Sequence, residues 1–163
     1  MAGAAGEGGP GEEALVVDTN VIISAMLRET GYTRRVLIAL SELYPVYTPR
    51  FALQEIELHL EGLAARKGVP RERLRALLEI IVSAINVVEE EYYEHLLEEA
   101  RSLVGDPGDL DFAALALQLR RLYSRVTLLT YNKDDYKEAE LKEKGVIVAT
   151  PAEAARRLLP HRR

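Results

Sequence analysis

Asp18 closes a short apolar run, Ala14-Leu15-Val16-Val17, and Asp106, Asp109 and Asp111 crowd the start of another, Phe112-Ala113-Ala114-Leu115-Ala116-Leu117. A charge at the mouth of an apolar element has to be solvated, capped, paired or metal-bound. Asn132 and Asp134 lie just past a third such run, Val126 to Thr130. Glu55 joins them by geometry. Leu53, Ile56, Leu60 and Leu63 form one helical stripe, and at about 100° per residue Glu55 flanks it, Glu57 lies on the opposite flank and Glu61 faces out. Several carboxylates in one cleft without a basic partner repel, and some are then held protonated. A divalent cation removes that conflict, and oxygen-only donors favour Mg²⁺ or Mn²⁺. Such ions activate water and clamp phosphoryl oxygens, so these residue types point to metal-dependent phosphodiester hydrolysis.

Each acid also has a plainer role. Asp18 alone reads as a helix cap, but in company with Glu55 and Asp111 the functional role is favoured. Asp106, beside Pro107-Gly108, is a turn residue. Asp109 divides evenly between helix cap and ligand. Asp134 can favour the N-terminus of a following helix, the role left to Asp135. His59 reads as a solvated flank residue, and Glu89-Glu90-Glu91 as a helix start.

The elements that must position these groups follow from periodicity. Ala14 to Asp18 reads as a buried strand, and Thr19-Asn20 can cap the helix after it. Helical spacing continues over Thr33 to Leu43. Pro45 to Thr48 reads as a second strand, ending at Pro49. An amphipathic helix over Arg50 to Arg66 closes at Lys67-Gly68, and Pro70 opens another, carrying Leu74, Leu77, Leu78 and Ile81. Ile85 to Val88 is a short third strand. Glu89 to Val104 reads as an acidic helix ended by the turn Gly105-Asp106-Pro107-Gly108. From Asp109 or Leu110 runs a helix apolar almost all round, which belongs in the core. Strands over Val126 to Thr130 and Val146 to Ala149 bracket a polar helix, Lys133 to Lys144, and Pro151 opens a terminal helix. Strands alternating with helices imply a three-layer α/β/α sandwich on a mostly parallel sheet of about five strands. In such sheets ligands gather at the carboxyl ends of the strands.

Composition bounds the rest. The 163 residues suit one domain, expected over residues 14–163 after a disordered Gly/Ala/Glu-rich tail at 1–13. There is no cysteine, which excludes disulfide scaffolds, thiol nucleophiles and cysteine-based metal sites. Three histidines, with no HxxxH spacing, argue against a histidine zinc site. No run approaches the length of a membrane span, and the N-terminus lacks the features of a signal peptide, so a soluble cytoplasmic protein without membrane contact is expected. The net charge of −5 looks wrong for a nucleic-acid binder. The first thirteen residues, however, hold three acids and no Lys or Arg, which leaves 23 acids against 21 bases. Setting aside Asp18, Glu55, Asp109 and Asp111 leaves 19 against 21, a slightly basic body. The eight tyrosines form no interleaved basic–aromatic stripe, so base stacking is not indicated. Basic clusters at Arg66-Lys67, Arg71-Arg73-Arg75, Arg120-Arg121 and Arg156-Arg157 read as solvated faces, with phosphate or an acidic partner as the functional alternative.

Four segments, LVVDTNVIISAML, TPRFALQEIELHL, DPGDLDFAALAL and TLLTYNKDDY, resemble in order and spacing the motifs of PIN-domain nucleases, over about Leu15 to Leu158. The single-domain layout is similar to VapC-type toxins and related archaeal PIN proteins. The resemblance implies a Mg²⁺- or Mn²⁺-dependent ribonuclease, dimeric as a rule, with helices on both sides of a parallel sheet. Carried over by position, the family acids are Asp18, Glu55 and Asp111, with Asp109 an additional acid. Asn132, a weaker and neutral ligand, stands where many members have Asp, and Asp134 matches an acid two residues later. By this likeness Asp18 and Asp111 hold the metal with Asp109 close by, and Glu55 binds it or orients the attacking water. Asn20, Thr130, Asn132 and Asp134 support them by hydrogen bonds; the motifs assign no phosphate contact, for which Arg28, Arg34 or Arg35 are the candidates.

Three readings follow. The first is an endoribonuclease acting as the toxin of a toxin–antitoxin pair, a homodimer with an antitoxin partner. The second is an RNA-processing nuclease with the same site and no antitoxin. The third is a catalytically silent PIN domain that binds RNA or assembles with other molecules, a reading that rests on Asn132.

Overall fold

The computed structural model describes residues 12–28 and 30–161. Its elements, in chain order, are β1 (Glu13–Val17), α1 (Thr19–Leu27), α2 (Tyr32–Leu43), β2 (Val46–Pro49), α3 (Arg50–Lys67), α4 (Arg71–Val82), β3 (Asn86–Val88), α5 (Leu97–Ala100), α6 (Leu110–Leu119), β4 (Arg125–Leu129), α7 (Glu138–Glu143), β5 (Val146–Ala149) and α8 (Pro151–Leu158). The five strands form one sheet in the order β3-β2-β1-β4-β5, and every pair is parallel. The expected α/β/α sandwich is therefore the observed fold.

Alternation along the strands divides the core in two. Leu15, Val17, Val46, Leu129 and Ala149 face α1, α2, α3, α4 and α8. Val16, Val126, Leu128, Val146 and Val148 face α6, α7 and the segment around Tyr93 and Leu103. Helix α6 is buried almost all round, as its composition requires. Gly68 ends α3 at φ 68°, a left-handed cap that glycine reaches without a Cβ penalty. Among the described residues no helix is long and apolar enough to cross a membrane.

Several local expectations change. Strand β1 begins at Glu13, inside the stretch expected as a tail, because the Glu13 side chain is buried and paired with Arg125; residues 1–11 lie outside the described residues. The segment 89–104 is no continuous helix: 3-10 turns at Glu90–Tyr92, Glu94–Leu96 and Arg101–Leu103 flank the single turn α5. Tyr93, Leu96, Ala100 and Leu103 must all reach the core, and steps of three suit 3-10 turns. The expected helix 133–144 is also interrupted. Tyr136 has extended backbone (φ −120°, ψ 144°) between the 3-10 turn Lys133–Asp135 and α7, where it pairs with Val104 in an antiparallel bridge. That geometry sends its ring inward.

Candidate functional site

Strand order places β1 between β2, reached by the first crossover, and β4, reached by a later crossover in the opposite direction. This is the topological switch point at which open α/β sheets bind ligands. Val17 is level with Leu129 in the sheet, so Asp18 and Thr130, the next residue on each strand, emerge side by side.

Asp18 is buried, and its Oδ2 accepts hydrogen bonds from Thr130 Oγ1 at 2.9 Å and Tyr136 OH at 3.0 Å. Its side chain makes no cap hydrogen bond to α1 of standard geometry, although the Thr19 and Asn20 amides at the start of that helix also favour its charged form. Burial raises its pKa, and the hydroxyls of Thr130 and Tyr136 oppose that rise. Thr130 is saturated. Its hydroxyl donates to Asp18 and accepts from Asn20 Nδ2 at 3.2 Å and from the Asn132 backbone N–H at 3.0 Å, the full capacity of one hydroxyl. Asn20 Oδ1 in turn accepts from the Tyr131 backbone N–H at 3.0 Å. Thr19 and Asn20 do not cap α1 with their side chains; they reach across the site instead.

Asp18, Glu55, Asp106 and Asp109 line one cleft of about 310 Å³ together with His59, and among the described residues no Lys or Arg does. Glu55 is held by Thr19 Oγ1, which donates to its Oε1 at 3.0 Å. Asp106 accepts from the Gly108 backbone N–H at 2.9 Å, the turn role expected of it, and still borders the cleft. Asp109 stands at the N-cap position of α6 without a side-chain cap bond. Its carboxyl is pushed up to about 7, first by burial and then by the negative charges of Asp18, Asp135 and Asp106, against a hydrogen bond from Tyr136.

Asp111 is elsewhere. Positions two apart on a helix do not face each other, and Asp111 Oδ2 accepts from the buried Tyr93 hydroxyl at 2.5 Å, away from the cleft. The Asn132 side chain and Asp134 are exposed and do not border the cleft either; Asp135 is the neighbour whose charge bears on Asp109. The sequence gives no role to Tyr136 or Tyr93, and gives Thr19 a cap role in place of its bond to Glu55. A tyrosine interrupting a polar helical stretch, two residues after an acid, is the one signal that pointed to Tyr136.

An oxygen-only donor set with uncompensated negative charge fits a hard divalent cation. Among the described residues no three acidic or histidine side chains stand close enough to chelate an ion unaided. Asp18 and Asp109 are the pair that repel most directly in the cleft, and Mg²⁺ binds through one or two carboxylates while keeping several waters.

The sequence matches the profile of the PIN domain over residues 16–121, well over half of the chain. The chain belongs to the PIN-domain family. The match spans Asp18, Glu55, Asp109 and Asp111 and ends before Thr130 and Tyr136. Comparison of this PIN domain with curated protein sequences gives no match. Among solved structures, a chain from VapBC2 of Rickettsia felis, bound to a DNA fragment from its promoter, aligns with a TM-score of 0.58 at 19% identity, covering 84% of the PIN domain described here and 98% of that chain. At this identity the likeness is one of fold.

Proposed function

We propose that this PIN domain is a cytoplasmic, Mg²⁺- or Mn²⁺-dependent endoribonuclease, the toxin of a toxin–antitoxin pair, working as a homodimer and restrained by a protein partner. One observation carries the nuclease reading: Asp18 and Asp109 share a cleft with two further acids and, among the described residues, no Lys or Arg, at the switch point of the sheet. The solved neighbour from Rickettsia felis comes from the VapBC2 complex on promoter DNA, which favours a partner protein for this chain as well.

Asp18 and Asp109 would hold a divalent cation, which would supply Lewis-acid polarisation of the phosphoryl oxygen and a more acidic water. Thr130 and Tyr136 hold the Asp18 carboxylate in one orientation by binding the same oxygen, which leaves Oδ1 without a side-chain donor. Glu55, fixed by Thr19, is the group in the cleft able to take the proton of the attacking water while the phosphorus–oxygen bond to the leaving nucleoside breaks. Tyr136 stabilises the charged form of both Asp18 and Asp109 by hydrogen bonding. Asn132, exposed and outside the cleft, does not weaken this arrangement, so its departure from Asp gives no support to a silent domain.

The test is cleavage of assorted single-stranded and structured RNAs with Mn²⁺, wild type against Asp18→Asn and Asp109→Asn. Metal-dependent cutting lost in both variants is expected. Absence of cutting on every substrate, or equal cutting by the variants, sinks the nuclease reading. Induced expression in a host is expected to arrest growth, with rescue by Asp18→Asn; normal growth of cells making soluble wild type removes the toxin reading alone.

A further inference from the structure

A second cavity adjoins the carboxylate cleft along α1. Thr19, Asn20 and Ile23 of α1 border the cleft, and Met26, Leu27 and Arg28, at the far end of the same helix, border a cavity of about 370 Å³. At about 1.5 Å of rise per residue the two sites are some 5–10 Å apart along the helix. Even a strand stacked as in a double helix, rising about 3.4 Å per nucleotide, spans that gap within about three nucleotides, and a more extended single strand needs fewer.

The two sites are opposite in charge. Arg28, Arg34, Lys67 and Arg73 line the second cavity, and among the described residues no acid does. Arg34 is anchored, its Nη1 donating to the Ala25 carbonyl at 2.7 Å. Arg28, Lys67 and Arg73 are exposed, and none takes part in the salt bridges among the described residues. Leu27, Val69 and Leu77, half-buried, supply an apolar floor. Cations around an apolar floor suit a nucleotide, with the phosphate on the guanidinium and ammonium groups and the base on the aliphatic surface.

The chemistry of the cleft favours that occupant. A polyanion entering a site walled by four carboxylates gains no Coulombic attraction from those walls, so its affinity must come from cations outside them. Lys133, the cation nearest along the chain to Asn132, is paired with Glu153 and Glu138. The cavity at the end of α1 is where cations outside the salt bridges of the described residues lie one helix from the cleft.

We propose that this cavity is a nucleotide subsite, holding a nucleotide of single-stranded RNA two or three positions from the scissile phosphate. The proposal deepens the ribonuclease reading and rests on it for the direction of the strand.

The experiment measures binding of a single-stranded RNA dodecamer to the full chain across a salt series, with the Asp18→Asn background preventing cleavage. The pair Arg28→Ala and Arg73→Ala is expected to lower the slope of log affinity against log salt by about 1.4, near 0.7 for each lost phosphate contact. Arg73→Lys should restore its share. In the cleavage-competent protein, the preference in kcat/KM for the dodecamer over a dinucleotide should fall toward one in the double variant. An unchanged slope and an unchanged length preference overturn the subsite, as does competition by polyglutamate that the double substitution abolishes while RNA binding persists. The two readings separate cleanly: wild type that cuts RNA while the double variant keeps both properties loses the subsite and keeps the nuclease. Wild type that binds RNA with the expected slope, lowered in the double variant, and cuts nothing loses the nuclease and with it the position relative to a scissile phosphate, leaving an RNA-binding cavity.

Discussion

Strand β1 buries a carboxylate at each end: Glu13 is 5% exposed and Asp18 is 4% exposed. Each sits against a threonine from the neighbouring strand or its end, Thr127 for Glu13 and Thr130 for Asp18. The difference lies in charge. Glu13 is met by the guanidinium groups of Arg125, at 2.8 Å, and Arg157, at 3.6 Å, so its negative charge is balanced where it stands. Asp18 is met by two neutral hydroxyls, with the acid Asp109 as a neighbour. Burial alone therefore does not mark a functional acid in this molecule. A buried acid whose charge nothing nearby cancels is the one that the proposed function assigns to an external cation.

The comparison breaks most easily at Asp18. Asp18→Asn should lower RNA cleavage on the order of 10³-fold, with thermal stability kept or raised, because the buried charge is removed while one oxygen remains to accept from Thr130 and Tyr136. Loss of activity through unfolding, read as a collapsed melting transition, would refute this account. Asp109→Asn should cost about 10²-fold, whereas Asp111→Asn should cost no more than about tenfold, acting through Tyr93 and the start of α6. The reverse ranking restores Asp111 to the position implied by the family likeness.

The raised carboxyl of Asp109 gives a pH signature. Cleavage at subsaturating Mn²⁺ should fall about tenfold per unit as pH drops below about 7, and more Mn²⁺ should move that limb to lower pH, since cation and proton compete for the same oxygens. The folded protein holds this proton more tightly than the unfolded chain, where the group titrates near its ordinary 3.8. Stability of the metal-free protein should therefore decline as pH rises from about 4 through about 7, and added Mn²⁺ should raise the melting temperature more at pH 8 than at pH 5. A pH-independent melting temperature, equal in wild type and Asp109→Asn, would contradict it.

Tyr136→Phe should lower cleavage about tenfold and weaken Mn²⁺ affinity, as loss of a hydrogen bond to a ligating carboxylate does; a fall in stability with unchanged Mn²⁺ affinity would leave Tyr136 a packing residue only. The smallest effect on activity is expected at the other end of β1. Glu13→Gln should leave cleavage within about twofold and cost about 2 kcal/mol of stability, less than a fully desolvated pair loses because Arg125 stays half-exposed. Strong loss of cleavage in a folded Glu13→Gln protein would erase the distinction between the two acids.

The strands and α6 were legible because their signals are local: short apolar runs, and a helix apolar on every side. Glu55 was legible from helical phase alone. Asp109 against Asp111 was not, since both precede the same buried helix and only the hydroxyl of Tyr93, packed from a different segment, decides which carboxylate is occupied elsewhere. Tyr136 was hidden for a related reason. Its extended backbone is imposed by pairing with Val104, a partner 32 positions earlier that no local window joins to it. The broken segment 89–104 likewise follows the needs of Tyr93 and Leu103 in the core and not its own helical pattern.

The partners of Asp18 lie 112 and 118 positions away, at Thr130 and Tyr136, and the strand that delivers them is the fourth of five to leave the ribosome. A nascent chain that has made β1, α1, β2 and α3 carries Asp18 and Glu55 with no hydroxyls to set their geometry. The same holds for a chain cut short by a premature stop before β4. Such fragments have acids but no assembled centre, so on the proposed function a chain truncated before β4 should be inert, which cleavage assays on the fragment ending at Leu119 would check.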